Sequence, residues 1–387
     1  MRTLKWNAFL SGLCACALVV GIAGSARADV TVEKGSSVVT FPYIEWNNDV
    51  HTMIQLTNTG NNMLHVACYY VRTDDGGRAV WEETDFDIWL TKQQPTVWPV
   101  GHGRQYNYYP DDPYPGFDVS VPPMGYFIGE LKCFEISPTG EPLTGNHLKG
   151  EATIIKCDEP PNGGASTSNE NGGWCEAAHD VAKYNAIGVE GIPDAQGTNP
   201  LQLDGETYAA CPEQLIMNFI ADLGVTEMGN LDDAGYTDNS TVQAKSLSFL
   251  TLVPCSEDFE NQKPTESTVQ FAVYNEYEQR FSASTTVDCW FDSQLSLIDT
   301  PTAPQNSVFS SFVLGSKVGT AWITPVGGKD GIQPVIGVLT QKALTLSPSV
   351  DPDTIPAPKQ DVVGESCAMT NLHTTGNLPA QITLTAH

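Results

Sequence analysis

The most regular feature of the sequence is a two-residue alternation of apolar and polar side chains in many short segments. In 52–58 (TMIQLTN), Ile54 and Leu56 share one face, and 268–275 (TVQFAVYN) repeats the same alternation. A period of two places one face of a strand against a core and the other against solvent. The pattern therefore predicts half-buried β-strands.

The same strand pattern occurs twice along the chain. Each of these two strands is followed by another, 65–71 (HVACYYV) or 286–292 (TVDCWFD), then by a Pro-Val-Gly and a Gly-x-Leu sequence. The shared order and parity predict two copies of one unit, and almost no segment has helical periodicity. We therefore predict an all-β fold of two immunoglobulin-like β-sandwich units.

The predicted units occupy 29–260 and 261–387. A loop-rich insertion of about 158–244 interrupts the first unit and opens with the low-complexity segment 160–173. Such a segment, rich in glycine and polar residues, is typical of an exposed loop.

Two short helices are predicted inside the insertion, over Cys175–Tyr184 and Pro212–Leu223. The second begins with a proline and an acidic residue, which are both favoured in the first turn of a helix. The following segment 245–253 (KSLSFLTLV) is predicted to be a strand that returns to the first sandwich.

Residues 1–28 have the features of a secretory signal peptide. Two basic residues precede an apolar stretch, and the segment ends in the small-x-small pattern Ala26-Arg27-Ala28. This order predicts cleavage after Ala28 and export, to the periplasm or to the exterior of the cell. No later apolar run is long enough to cross a membrane as a helix, so we expect no transmembrane segment in the mature chain.

Charge restricts the class of partner. The 387 residues include 46 acidic and 19 basic ones, for a formal net charge of −27. A nucleic acid is therefore excluded as a partner, because phosphate binding requires clustered lysine and arginine.

An even number of cysteines follows the signal peptide, which in an exported chain predicts a disulfide framework. The eight are Cys68, Cys133, Cys157, Cys175, Cys211, Cys255, Cys289 and Cys367. Four of them lie around the insertion, where the pairs Cys157–Cys175 and Cys211–Cys255 are favoured and swapped pairings stay open.

The other four cysteines divide between the predicted units. Cys68 and Cys133 both lie on inward strand faces, which favours an inter-sheet disulfide between them. The second unit contains only Cys289 and Cys367, so these two are predicted to pair with each other.

Catalytic motifs are absent from the sequence, including G-x-S-x-G, H-E-x-x-H, the P-loop and G-x-G-x-x-G. Cys175 and His179 have a spacing that can hold a metal on a helix, but a disulfide cysteine beside a surface histidine is the favoured interpretation. The acidic segment 230–235 does not complete an EF-hand loop. We predict no catalytic residue, no cofactor and no metal site.

The segment 101–124 is the richest in candidate binding residues. Its aromatic and acidic side chains are Tyr106, Tyr108, Tyr109, Asp111, Asp112, Tyr114 and Phe117. Long loops on a rigid β-fold often carry binding sites, and aromatic rings can stack on sugars or anchor another protein. The alternative, which is favoured, is that the rings fold back and cover an open sheet edge.

Several segments resemble a family of secreted bacterial β-rich proteins to which no function is assigned. They are KGSSVVTFPYIEW (34–46), QLTNTGNNMLHVACYYV (55–71), DIWLTKQQPTVWPVG (87–101), GELKCFEISPTGEPLTGNHLKGEATI (129–154), LTLVPCSEDF (250–259) and VQFAVYNEYEQRF (269–281). The resemblance covers most of the mature chain and implies secretion and a β-rich fold. It implies no catalytic residue.

Two hypotheses of different classes follow. The preferred one is a non-enzymatic secreted or cell-envelope protein with a structural or recognition role, whose partner is an extracellular protein or a glycan. The alternative is a carbohydrate-binding module or acidic hydrolase that uses the Tyr/Asp-rich loop 101–124. The sequence does not indicate the oligomeric state.

Overall fold

Strands account for nearly all of the regular structure. The computed structural model describes residues 30–73, 79–104, 120–157, 178–222, 225–228, 242–346 and 362–385. In chain order the strands are β1 Val30–Thr31, β2 Val38–Trp46, β3 Val50–Asn58, β4 Leu64–Thr73, β5 Ala79–Leu90, β6 Pro95–Pro99, β7 Phe127–Ile136, β8 Leu148–Cys157, β9 Ala178–Asn185, β10 Ile187–Val189, β11 Leu201–Leu203, β12 Gln214–Ile220, β13 Val225–Met228, β14 Val242–Pro254, β15 Glu257–Asp258, β16 Glu266–Asn275, β17 Arg280–Asp288, β18 Phe291–Gln294, β19 Val318–Gly327, β20 Val335–Leu346, β21 Val362–Asn371, β22 His373–Thr375 and β23 Ala380–Thr383. The helices of the described residues are two 3-10 turns, Leu295–Leu297 and Pro304–Asn306, and the short α1, Ser311–Leu314. The predicted all-β class is confirmed.

The strands of the described residues form five sheets. A six-stranded sheet has the order β1-β10-β2-β7-β4-β5, and a four-stranded sheet has the order β6-β3-β8-β9. The sheet β17-β16-β19-β12-β22 is called the β16 sheet below, and the sheet β13-β14-β20-β21, with β18 also paired to β14, is called the β14 sheet. The smallest sheet is β11-β23-β15.

Three buried clusters hold the sheets together. The first joins the six-stranded and four-stranded sheets through side chains such as Tyr70 and Trp98. The third joins the β16 and β14 sheets through side chains such as Phe271 and Leu250. The second lies on the opposite face of the six-stranded sheet, where residues such as Trp290 from the later part of the chain pack. The second cluster is therefore a hydrophobic core that joins the two halves of the chain.

The strand pairing corrects the predicted division into two immunoglobulin-like units at 29–260 and 261–387. Strands β12 and β14 belong to the first of these ranges, but β12 pairs with β19 and β14 pairs with β20 in the second. The segment 245–253 thus does not return to the first unit. Alternation reports which residues of a strand face a core, and it carries no information about which strand lies alongside.

Both helices predicted in the insertion are wrong. The described part of Cys175–Tyr184 forms β9, which pairs with β8, and Pro212–Leu223 contains β12. In β12, Leu215, Met217 and Phe219 are buried at every second position. Pro212 precedes the strand, where its missing N–H costs no ladder hydrogen bond.

Two of the predicted disulfides are confirmed, Cys68–Cys133 and Cys211–Cys255. Cys68 and Cys133 are directly opposite each other on β4 and β7, which are neighbouring strands of the six-stranded sheet. The first disulfide therefore lies within one sheet, and the predicted inter-sheet geometry is wrong. The pairing Cys157–Cys175 falls outside the described side chains, as do the signal peptide 1–28 and the segment 160–173.

The predicted disulfide between Cys289 and Cys367 is wrong, because the structure does not join them and Cys289 is a buried free thiol. Cys289 directly follows β17 of the β16 sheet, whereas Cys367 lies on β21 of the β14 sheet, opposite Lys342. The predicted pairing assumed that 261–387 forms an independent unit. The strands of that range instead pair with strands of the first range, so the two cysteines lie in different sheets.

Candidate functional site

The predicted binding loop is described only at its two ends, 101–104 and 120–124. Its candidate residues lie outside the described residues. They are Tyr106, Tyr108, Tyr109, Asp111, Asp112, Tyr114 and Phe117.

A histidine and tryptophan cluster supports the base of this loop. His51 stacks on Trp46 with ring centroids 4.0 Å apart, and His102 meets the same indole edge-on at 5.2 Å. Burial lowers the pKa of both histidines, and His102 further lowers that of His51. The lowered pKa values favour neutral imidazoles at pH 7, and the cluster packs around the described start of the loop at His102.

The most charged buried cluster surrounds Lys132. Its Nζ lies 2.5 Å from Glu257 Oε2 and 3.3 Å from Glu130 Oε2, and it donates to the Pro254 carbonyl at 3.0 Å. Burial alone would lower the pKa of Lys132, but the two carboxyl groups outweigh it and raise that pKa. Burial and the neighbouring Glu130 raise the pKa of Glu257 well above its ordinary value. All three side chains are inaccessible to solvent, so the cluster joins parts of the fold and offers no site for a ligand.

The outer face of the β16 sheet is the best candidate for a functional site. Its strands bury one set of alternate residues in the third core, which leaves the other set in solvent. Trp322 on β19 belongs to the outer set and is 43% exposed, although tryptophan is usually well buried. Tyr274 on β16 lies beside it, with ring centroids 5.8 Å apart.

The strand register leaves the indole of Trp322 open. Its direct neighbours in the sheet are Ala272 on β16 and Ile216 on β12. The single methyl group of Ala272 is too small to cover an indole. An exposed aromatic surface therefore remains available on the middle strand of the sheet.

Polar side chains flank the two rings in ordered pairs. The Thr320 hydroxyl donates to Asn218 Oδ1 at 2.7 Å, and Gln214 Nε2 donates to the Thr324 hydroxyl at 3.0 Å. Beside Tyr274 the sheet forms an open hollow of about 500 Å³ that Asn218 and Thr320 also line. The face thus combines stacking surface with hydroxyl and amide groups that can donate or accept hydrogen bonds.

The outer face carries little charge for so acidic a protein. The chain contains 46 acidic residues, but among the outward positions of β12, β16, β17, β19 and β22 the acidic ones are Glu266 and Asp288. These two are opposite each other at one end of the sheet. The outward strand positions next to Trp322 therefore carry no carboxylate, whereas Arg280 is the register partner of Tyr274 and Glu276 lines the hollow beside it.

The alternation in 268–275 predicted the strand and its buried side. The signal for this site was on the other side, where uncharged polar residues alternate with the core positions and one tryptophan, Trp322, lies out of phase with them. That signal requires β16, β19 and β12 to be neighbours, which only the fold shows.

Comparisons with known proteins do not indicate a function for this chain. No protein-family model and no curated protein matches the chain. Among solved structures, tripeptidyl peptidase 2 matches at 8% identity and a TM-score of 0.18 over 92% of this chain. The chain spans only 28% of the length of that peptidase.

Two further structures match at similar levels. A protein from Parabacteroides distasonis has 9% identity and a TM-score of 0.13, with 80% of this chain and 90% of that chain covered. A Pleurotus ostreatus lectin has 11% identity and a TM-score of 0.13, with coverages of 87% and 90%. These scores are too low to indicate a shared fold.

The described residues lack both a membrane-spanning helix and a cluster of metal-binding side chains. They contain no helix with the length and apolar character needed to span a membrane. They also contain no group of three or more histidine, cysteine, aspartate or glutamate side chains arranged to hold a metal ion.

Proposed function

We propose that the protein is an exported recognition protein that binds a carbohydrate through the outer face of the β16 sheet, without catalysing a reaction. The observation that carries the proposal is the exposed Trp322 beside Tyr274 on the outer face of the β16 sheet. The signal-peptide pattern of residues 1–28 and the two disulfides support export.

A sugar ring suits this surface for two reasons. One face of a pyranose carries mostly C–H groups, which pack on an aromatic ring and remove apolar area of both from water. The hydroxyl groups at its rim can form hydrogen bonds with polar side chains of the same sheet, which are Asn218, Thr320, Gln214 and Thr324. Each of these can exchange its present partner for a sugar hydroxyl.

The charge of the face favours a neutral ligand. A protein with a net charge of −27 repels acidic polysaccharides in general, whereas the outward strand positions directly next to Trp322 have no carboxylate to desolvate when an uncharged sugar binds. The sequence predicted glycan recognition by the loop 101–124 as an alternative. We propose instead that the β16 sheet provides the surface that binds the glycan.

Affinity electrophoresis tests the proposal directly. The purified chain without residues 1–28 is run in native gels that contain a neutral soluble polysaccharide, with hydroxyethylcellulose, xylan, galactomannan and mixed-linkage glucan each in turn. We expect retardation by at least one of them, and a loss of affinity of about tenfold or more for Trp322→Ala, since stacking on one exposed ring dominates such contacts. Gels without polysaccharide correct for mobility.

The matched control is Trp89→Ala. Trp89 is 45% exposed, nearly the same as Trp322, but it lies on β5 of the six-stranded sheet, where it stacks on His65. Its replacement should leave the retardation unchanged. An absence of retardation with every polysaccharide, or equal losses in the two variants, would refute glycan binding at the β16 sheet.

A further inference from the structure

The β16 sheet ends in a strand edge that lacks the usual protection. In the part of the chain that the structure describes, β17 pairs only with β16, and its second edge has no strand alongside. Exposed edges are generally blunted by a central charge, a proline or a bulge. The seven residues 281–287 (FSASTTV) contain no charge and no proline, and the register with β16 has no bulge.

The backbone groups of this edge point outward at alternate residues. At the two ends of the β16–β17 pair, the Asn275 amide donates to the Gln279 carbonyl and the Cys289 amide donates to the Thr265 carbonyl. Because the bonds alternate in an antiparallel pair, the odd-numbered residues of β17 face β16. The N–H and C=O groups of the even-numbered residues from Arg280 to Thr286 therefore face the free edge, as does the Asp288 N–H, whereas the Asp288 carbonyl accepts the Trp290 N–H at 2.7 Å.

The third core is incompletely covered at the same edge. Phe281, Ala283 and Thr285 point toward it but stay half-buried, and only Val287 of this strand is buried. One more strand beside β17 would cover the exposed flanks of Phe281 and Ala283. The edge thus lacks both hydrogen-bond partners and apolar cover.

We propose that two copies of this chain form a dimer by antiparallel pairing of β17 with β17, about a two-fold axis at Ser284. In this register Arg280 is opposite Asp288 of the partner subunit, and Ser282 is opposite Thr286 of the partner subunit. All of these residues are even-numbered, so their outward N–H groups, and the C=O groups of Arg280 to Thr286, are aligned for hydrogen bonding. An isologous contact of this kind closes as a dimer and does not propagate.

The charges of β17 select this partner and this register. Arg280 and Asp288 are its only charged residues, they stand at opposite ends, and both are exposed. The structure records no ion pair for either of them within the described residues. Pairing about Ser284 brings each Arg280 to Asp288 of the partner subunit, which makes two symmetric ion pairs, whereas a shift by two residues loses both.

Dimerisation would also join the two β16 sheets edge to edge. The even-numbered side chains of β17 lie on the same outer face as Tyr274, because Arg280 is the register partner of Tyr274. The dimer would therefore present two Trp322 side chains on one continuous face. The dimer itself does not depend on glycan binding.

Charge exchange tests the register. The molar mass of the chain without residues 1–28 is measured by light scattering and sedimentation as a function of concentration. The proteins compared are the wild type, Arg280→Glu, Asp288→Lys and the double variant. We expect a dimer for the wild type and a dissociation constant at least about tenfold higher for each single variant, because each places like charges opposite one another. The double variant should return to near the wild-type value.

A cross-link tests the position of the axis. In the proposed dimer the two Ser284 Cα atoms are about 5.5 Å apart, a separation that a disulfide spans. Ser284→Cys should therefore give a covalent dimer on mild oxidation. Ser282→Cys is the control, because the two copies of residue 282 are separated by about 13 Å along the strands and cannot be bridged.

Three outcomes would overturn the proposal. The first is a wild-type chain that stays monomeric at concentrations up to about 100 µM, the range of weak self-association. The second is a dimer that neither single charge variant weakens. The third is a cross-link that forms equally at 282 and 284. Rescue by the double charge variant cannot arise from a general loss of folding, which makes it decisive in favour of the dimer.

Discussion

At the scale of single residues, the buried polar groups lie where parts of the fold meet. Asn58 and Asn275 end equivalent strands of the repeated pattern, and each donates its side-chain amide to a backbone carbonyl that is distant in sequence, Leu90 at the end of β5 for Asn58 and Leu314 in α1 for Asn275. Each also accepts a backbone N–H of the next turn, from Gly60 and Tyr277 respectively. These paired roles explain why the asparagine recurs at the end of both strands.

Asp292 makes the stability depend on pH. The hydroxyl of Thr251 donates to Asp292 Oδ1 at 2.6 Å, and burial raises the pKa of this carboxyl to about 6, with a further increase from Glu45. Since the folded-state pKa exceeds the ordinary value, the protonated form stabilises the fold. That contribution is complete below about pH 4 and is lost as the pH rises through about 6.

Asp292→Asn should therefore stabilise the protein at neutral pH. The amide stays uncharged, so we expect a gain of about 1–3 kcal/mol in the free energy of unfolding at pH 8, which shrinks toward zero at pH 4. Urea denaturation at pH 4, 6 and 8 measures it. Asp49→Asn, which removes the same charge from an exposed turn, should show no such trend. A gain that is independent of pH would contradict this origin.

At the scale of elements, alternation predicts strands well and their neighbours poorly. The strands 52–58, 65–71 and 268–275 are where the pattern predicts them. The error at β12 arose from its outer face, where Ile216 and Ile220 are apolar and hide the period of two. The proline and glutamate before it favoured a helix locally, and pairing with β19 and β22 overrides that preference.

Two neighbouring substitutions test the strand assignment of β12. Phe219 is buried against Phe309, with ring centroids 5.6 Å apart, whereas Ile220 is 40% exposed. We expect Phe219→Ala to lower the free energy of unfolding by about 3–5 kcal/mol and Ile220→Ala to lower it by less than about 1 kcal/mol. Chemical denaturation of both variants at one pH provides the comparison. Similar losses would indicate that both side chains face the core.

At the scale of the whole molecule, the site on the β16 sheet depends on strands that are distant in sequence. Strand β12 comes from the predicted insertion, yet it supplies Asn218 and Gln214 beside residues of β19. No local pattern could predict that juxtaposition. The partner of the buried Lys132 is equally remote, because Glu257 follows β14 while Lys132 lies on β7.

These long-range contacts predict that the protein unfolds as one unit. Lys132 bonds Glu257 within the second core, and Trp290 donates its indole N–H to the Pro42 carbonyl at 2.8 Å. Calorimetry of the chain without residues 1–28 should therefore show a single transition, with a calorimetric enthalpy equal to the van't Hoff enthalpy.

The isolated segment 261–387 provides the complementary test. It lacks β14, which lies between β20 and β18 in the β14 sheet, and β12, which lies between β19 and β22 in the β16 sheet. Two sheets that each lose an inner strand cannot bury the third core, because the remaining strands have no continuous ladder. We expect this fragment to be unfolded or aggregated by circular dichroism. A cooperative β-sheet fold of the fragment, or two separate transitions in the full chain, would show that the halves are independent.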